Sequence, residues 1–172
     1  MGKTGIPWRF GPTTAPWRLE TGERVFQGAS QINLDAKGRL AVPTRWRDPL
    51  TQGGTVKLVL TAHPDKCLLL YPAPAWEPIR AQVMAFPSLD PAFARWKRLL
   101  VGFAEDIELD GAGRILVSPE MRAFAGIDKQ VMYIGQGSHF EIWDLAGWNQ
   151  HLEQLTSGGT PSLPPGMENF SL

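Results

Sequence analysis

One pattern of thirteen residues occurs twice in this 172-residue chain, and it limits the possible folds more than any other feature. The first copy is Asp35-Ala36-Lys37-Gly38-Arg39-Leu40-Ala41-Val42-Pro43-Thr44-Arg45-Trp46-Arg47. The second is Asp110-Gly111-Ala112-Gly113-Arg114-Ile115-Leu116-Val117-Ser118-Pro119-Glu120-Met121-Arg122. Asp35, Gly38, Arg39 and Arg47 match Asp110, Gly113, Arg114 and Arg122 at a constant offset of 75 positions. Leu70-Tyr71 with Trp76 is echoed by Ile142-Trp143 with Trp148 at an offset of 72. Shared order, spacing and flanking strands mark an internal duplication, with too few copies for a solenoid.

Each copy reads as a hairpin. Gly38 and Gly113 supply the positive φ of a tight turn, and Asp35 and Asp110 can accept hydrogen bonds from the amides ahead of them. The apolar residues that follow make a returning strand. Lys37 and Arg39 then stand at the tip or flank of the first hairpin, with Arg45 and Arg47 just beyond it. Four cations on one short, stiff element suit phosphates and base edges.

At this point a family resemblance becomes specific. Asp-x-x-Gly-Arg-aliphatic-x-aliphatic-Pro-x-x-x-Arg resembles the DNA-binding hairpin of the AbrB-like swapped-hairpin fold. The doubled Asp-x-x-x-Arg, Phe26-Gln27-Gly28-Ala29, Cys67-Leu68-Leu69-Leu70-Tyr71-Pro72 and Phe140-Glu141-Ile142-Trp143 are similar to the MraZ family of bacterial transcriptional regulators. The resemblance runs from about Phe26 to at least Trp148. It implies a mainly β protein with short helices, two AbrB-like repeats forming an intrachain pseudo-dimer (a double-split β-barrel). It also implies sequence-specific binding to double-stranded DNA upstream of the chain's own division and cell-wall gene cluster, nucleoid association, and ring-like homo-oligomers.

Composition sets the boundaries of this reading. Formal net charge is zero, so the chain is not a general polyanion binder and any nucleic-acid contact needs a local basic patch. Such a patch is multiplied by self-association on DNA with repeated short elements. Cys67 is the single cysteine and sits in an apolar run, which points to a buried small hydrophobe and a reducing cytoplasm. No apolar run reaches the ~18 residues needed to span a membrane. No metal or cofactor is expected: His63 has no partner at ligand spacing and reads as a turn histidine.

In chain order, Met1 to Arg24 is rich in proline and glycine and repeats Pro-Trp-Arg, without strand or helix period. It reads as a disordered or loosely docked extension, as a Trp/Arg arm following DNA, or as residues placed before a true start at Val25. Residues 25–103 form the first repeat, with a strand pair over Val25–Val42 and a helical turn over Thr44–Leu50. Strands over Val56–Thr61 and Cys67–Tyr71 follow the Gln52-Gly53-Gly54 loop, the second strand buried on both faces. A helix carrying Ile79, Val83 and Met84 comes next, then one capped by Asp90 with Phe93, Trp96, Leu99, Leu100 and Phe103 facing the core or another subunit. Residues 104–155 form the second repeat. Ser118 caps its first helix, Gly126 ends it, and Ile127 makes the contact beyond the glycine. A hairpin joins Val131–Ile134 to Phe140–Trp143, and Trp148–Leu155 is the last helix. Residues 156–172 read as a flexible tail.

The repeats differ in charge. The second keeps Arg114 and Arg122 but has Ala112 for Lys37 and Glu120 for Arg45, and Glu105, Asp106 and Glu108 lead into it. The expected DNA contacts are Lys37, Arg39, Arg45, Arg47, Arg114 and Arg122, with Asp35, Gly38, Asp110 and Gly113 bracing the turns. The first repeat is the better DNA face by charge. Arginine suits guanine O6 and N7, and lysine suits phosphate. A hydrolytic enzyme is the rival class, on the alternating Asp106, Glu108 and Asp110. Those carboxylates have no nearby histidine or nucleophile, so no catalytic residues are assigned. A protein-interaction module of antitoxin type is the other alternative.

Overall fold

A computed structural model describes residues 25–51, 57–159 and 162–170. The first repeat supplies β1 (Ala29–Asn33), β2 (Arg39–Ala41), α1 (Thr44–Leu50), β3 (Lys57–Ala62), β4 (Leu68–Pro72) and α2 (Ala73–Met84). A connecting helix, α3 (Pro91–Lys97), runs into a π-helical turn at Arg98–Gly102. The second repeat supplies β5 (Glu105–Glu108), β6 (Arg114–Leu116), α4 (Pro119–Ala125), β7 (Gln130–Gly135), β8 (Phe140–Asp144) and α5 (Leu145–Ser157).

The strands form a six-stranded sheet, β1-β7-β8-β4-β3-β5, and a two-stranded ribbon, β2-β6, with antiparallel neighbours throughout. Both sheets cross between repeats. β1 of the first repeat pairs with β7 of the second, and β5 of the second pairs with β3 of the first. A pseudo-two-fold axis relates the halves. It passes between Leu40 and Ile115 in the ribbon and between Leu69 and Glu141 at the sheet centre, each pair being both cross-strand partners and repeat equivalents. The chain is therefore a mainly β pseudo-dimer with exchanged strands.

One expectation changes here. Val25–Val42 does not form a paired hairpin: β1 and β2 leave the Asp35–Gly38 turn into different sheets, joined only by a bridge at Leu34 and Leu40. Each strand reaches a better partner in the other repeat, because Leu40 and Ile115 are then both fully buried.

The six-stranded sheet is apolar on both faces. Leu58, Leu60, Leu68, Leu70, Val131, Tyr133, Phe140 and Ile142 pack with Leu40, Val42, Ile115 and Val117 of the ribbon region, Leu50 of α1 and Met121 of α4. On the opposite face Val59, Cys67, Leu69, Tyr71, Ile134 and Trp143 pack with Trp76 of α2. The near-continuous apolar run of β4 is thus buried on both sides, as expected of a central strand. Burial pushes the Cys67 thiol well above its ordinary pKa, so it behaves as a small hydrophobe.

The helices follow their local signals with some differences. Asp90 caps α3 through the Ala92 amide and Ser118 caps α4 through the Met121 amide, at 2.8 and 3.3 Å. Gly126 closes α4 at φ 62°, and the Ile127 amide returns to the Arg122 carbonyl at 2.9 Å. α2 starts at Ala73 with Pro74 in its first turn, where the missing amide costs no intrahelical bond, and it carries Pro78 inside the helix. Of Ile79, Val83 and Met84, expected on one face, Val83 is buried while Met84 is 58% exposed. No residue of α3 is buried, and Trp96 is 45% exposed, so the expected stripe does not face the core along α3. Leu100 and Phe103 do pack against the two cores. α5 takes in Thr156 and Ser157, and the Thr156 hydroxyl donates to the Leu152 carbonyl at 2.9 Å. The expectations for Met1–Arg24 and for the Gln52-Gly53-Gly54 loop lie outside the described residues.

Candidate nucleic-acid interface

The two turns are built alike. Asp35 Oδ1 accepts the backbone amides of Lys37 and Arg39, both at 2.9 Å, while Oδ2 accepts Arg39 Nε at 2.6 Å. Asp110 Oδ1 accepts the amides of Ala112 and Arg114, both at 2.9 Å, while Oδ2 accepts Arg114 Nε at 2.8 Å. Gly38 and Gly113 complete the turns at φ 79° and 73°. Both carboxyls are held below the ordinary aspartate range, first by the backbone amide of the arginine and then by its side chain and the nearer amide. Each aspartate therefore fixes both the turn and the root of an arginine. Nε serves the carboxylate, and the two terminal nitrogens lie at the far edge of the guanidinium.

The ribbon carries these arginines outward. Arg39 stands opposite Leu116, and Ala41 stands opposite Arg114. The Val42 amide donates to the Gly113 carbonyl at 3.0 Å and the Val117 amide to the Gly38 carbonyl at 2.9 Å. By alternation, Arg39–Leu116 and Ala41–Arg114 are non-hydrogen-bonded pairs, the kind whose side chains stand closer. Leu40 and Ile115 fill the inner face, so Arg39, Ala41, Arg114 and Leu116 share the outer one. A two-stranded ribbon of this kind fits the major groove of B-DNA.

Arg47 and Arg122 play a different part. Arg47 is half-buried across Gly113, and its Nε donates to the Val42 carbonyl at 2.8 Å. Arg122 lies in the same way across Gly38, with its Nε buried and without a hydrogen-bond partner. Each arginine thus leaves one repeat to cover the turn of the other. Arg45 is exposed, packs over the Trp46 ring at 5.4 Å, and donates to the Ser30 hydroxyl at 3.3 Å. Lys37 projects from the first turn and is exposed.

The charge difference between repeats is laid out in space. Glu105 occupies in β5 the place that Ser30 has in β1, opposite Leu60 as Ser30 is opposite Tyr133. It accepts the Ser118 hydroxyl at 2.7 Å, so a carboxylate stands where the first repeat anchors Arg45. Glu108 and Asp106 are exposed on the same strand, with Lys57 opposite Glu108, and Glu120 is exposed at the start of α4. Asp110, the third of the alternating carboxylates, is committed to Arg114 and the turn amides. Sequence reasoning did not single out Ser30 or Leu116. The signal for Leu116 was present, since inward Ile115 and Val117 leave the residue between them facing out. No helix among the described residues is long and apolar enough to cross a membrane.

Comparisons with known proteins agree with this doubled architecture. A family model described as "MraZ protein, putative antitoxin-like" matches twice, over residues 25–99 and 100–160. A transcriptional regulator MraZ from Methylobacillus flagellatus is 57% identical over 148 residues, covering 86% of this chain and all of that protein. Proteins of the same name from Azoarcus sp. and Nitrosomonas europaea are 52% and 45% identical over the same shares. With both repeats matched and the whole length of these relatives covered, the chain belongs to the MraZ family.

Proposed function

We propose that this chain is a sequence-specific DNA-binding transcriptional regulator, acting on the promoter of its own division and cell-wall gene cluster. The observation that carries this reading is the pair Arg39 and Arg114, each fixed by an aspartate and both raised on the outer face of one ribbon. Arg39 reads base edges, with Lys37 and Arg45 holding phosphates beside it. Arg114 is the weaker partner, in a repeat that has Ala112 for Lys37 and Glu120 for Arg45. Arg47 and Arg122 support the interface by holding the turns, with their outer nitrogens available to the backbone of DNA. Asp35, Gly38, Asp110 and Gly113 set the turn geometry. The reading needs neither cofactor nor metal.

One chain offers few phosphate contacts, which is thin at physiological salt. Self-association into a ring-like homo-oligomer repeats the patch, and target DNA then carries several copies of a short element. Exposed Trp96, Leu152 and Leu155 are apolar surface suited to such contacts. In the cell the protein works in the cytoplasm at the nucleoid.

A mobility-shift assay on the region upstream of the chain's own gene tests this, with the oligomer mass measured in parallel. The reading expects binding far tighter than to a scrambled duplex of equal composition, by an assembly and not a monomer. Equal binding to both duplexes would contradict it. The family description favours a second reading, an antitoxin-like interaction module, and a co-purifying basic protein with no DNA preference would support that instead.

A further inference from the structure

We propose that Leu116 is a specificity-determining residue that reads the C5-methyl group of a thymine next to the guanine read by Arg39. The inference rests on the DNA-binding reading above and goes beyond it by naming a contact outside the Asp-x-x-x-Arg motif. Leu116 is 54% exposed, although a fold that buries Leu40, Val42, Ile115 and Val117 completely has apolar interior at hand. It is held outward by strand alternation, in register with Arg39 and in a pair whose side chains stand close.

The chemistry then limits what Leu116 can recognise. The major groove offers hydrogen-bonding groups at every base pair, and the thymine methyl is its apolar feature. Cross-strand side chains stand roughly 4.5–5.5 Å apart. The base-pair step is about 3.4 Å. A leucine beside a guanine-reading arginine therefore meets the neighbouring base pair. The second half of the ribbon lacks this reader, because Arg114 stands opposite Ala41, whose side chain is too short to follow it into the groove. The element is consequently asymmetric, and Leu116 fixes the direction in which each pseudo-dimer lies along it.

The test uses the full chain and a synthetic duplex spanning the region upstream of its own gene. Each thymine is replaced in turn by deoxyuridine, which removes only the methyl group. Binding by the native protein should weaken about three- to fivefold at a thymine beside a required guanine, the size expected for one buried methyl-sized group. Leu116→Ala should bind the thymine and deoxyuridine duplexes alike while keeping the native oligomer mass and circular dichroism. Retained thymine sensitivity in Leu116→Ala would overturn the inference, as would a native protein indifferent to every replacement. A changed oligomer mass in Leu116→Ala would also overturn it, by making the residue a subunit contact. Arg39→Ala separates the two levels of the argument. Loss of binding there with no methyl effect defeats only the Leu116 inference, whereas no loss there defeats the DNA face itself.

Discussion

Arg122 lies across Gly38: a side-chain carbon at Gly38 would stand 2.9 Å from the Arg122 guanidinium carbon. The reciprocal contact seats Arg47 on Gly113. The motif's last arginine thus belongs functionally to the other repeat's turn, and the duplicated pattern is closed by exchange. Gly38→Ala should destabilise the fold by about 1–3 kcal/mol, since it adds positive-φ strain to a steric conflict with Arg122. Thermal unfolding measures the loss. In a double-mutant cycle, Arg122→Ala should recover the share due to Arg122 and leave the φ strain and the 3.1 Å approach to the Val117 carbonyl.

The exchange of strands makes the halves interdependent. Residues 25–99 expressed alone lack β7 and β5, the partners of β1 and β3. That fragment should be unfolded by circular dichroism, or a homodimer in which a second copy supplies the missing strands. A folded monomer would contradict the register described above.

The turn carboxylates give a pH dependence with a definite sign. Their folded pKa values are depressed, so their contribution is present above the unfolded aspartate value of about 3.9. It fades as pH falls through the folded values. Asp35→Asn should therefore lower stability by a constant amount above about pH 5, and the gap to the native protein should close in more acidic solution. Unfolding midpoints measured from neutral to acidic pH would show it.

Lys37 is exposed, whereas the Arg39 side chain is held by Asp35. Lys37→Ala should weaken binding to all duplexes alike and reduce the salt slope by about one per participating subunit. Anisotropy titrations at several salt concentrations on specific and scrambled DNA distinguish this from a loss of base reading.

Much of this was legible in the sequence. The doubled turn, the caps at Asp90 and Ser118, the Gly126 stop and the twice-buried β4 all follow from local residue chemistry. Strand partners were not legible, because Ile32 and Leu34 alternate equally well against β2 or against a distant strand. The choice is made by burial of Leu40 against Ile115, a contact between repeats. The same holds for Arg47 and Arg122. Their spacing marked them as cations, but only the exchange of turns shows that they rest on glycines of the opposite repeat.

The proposed DNA face makes the two equivalent arginines unequal, because their repeats differ in charge. Arg39 follows Lys37 and shares its repeat with Arg45, whereas Arg114 follows Ala112 and shares its repeat with Glu105, Glu108 and Glu120. Affinity for the chain's own upstream region should be compared for Arg39→Ala and Arg114→Ala, with circular dichroism and mass confirming that both remain folded and assembled. A base-reading arginine contributes about 1–3 kcal/mol per contact. An assembly loses that contribution in every subunit at once. Arg39→Ala should nearly abolish specific binding and Arg114→Ala should weaken it less; equal loss, or greater loss from Arg114→Ala, would contradict the account.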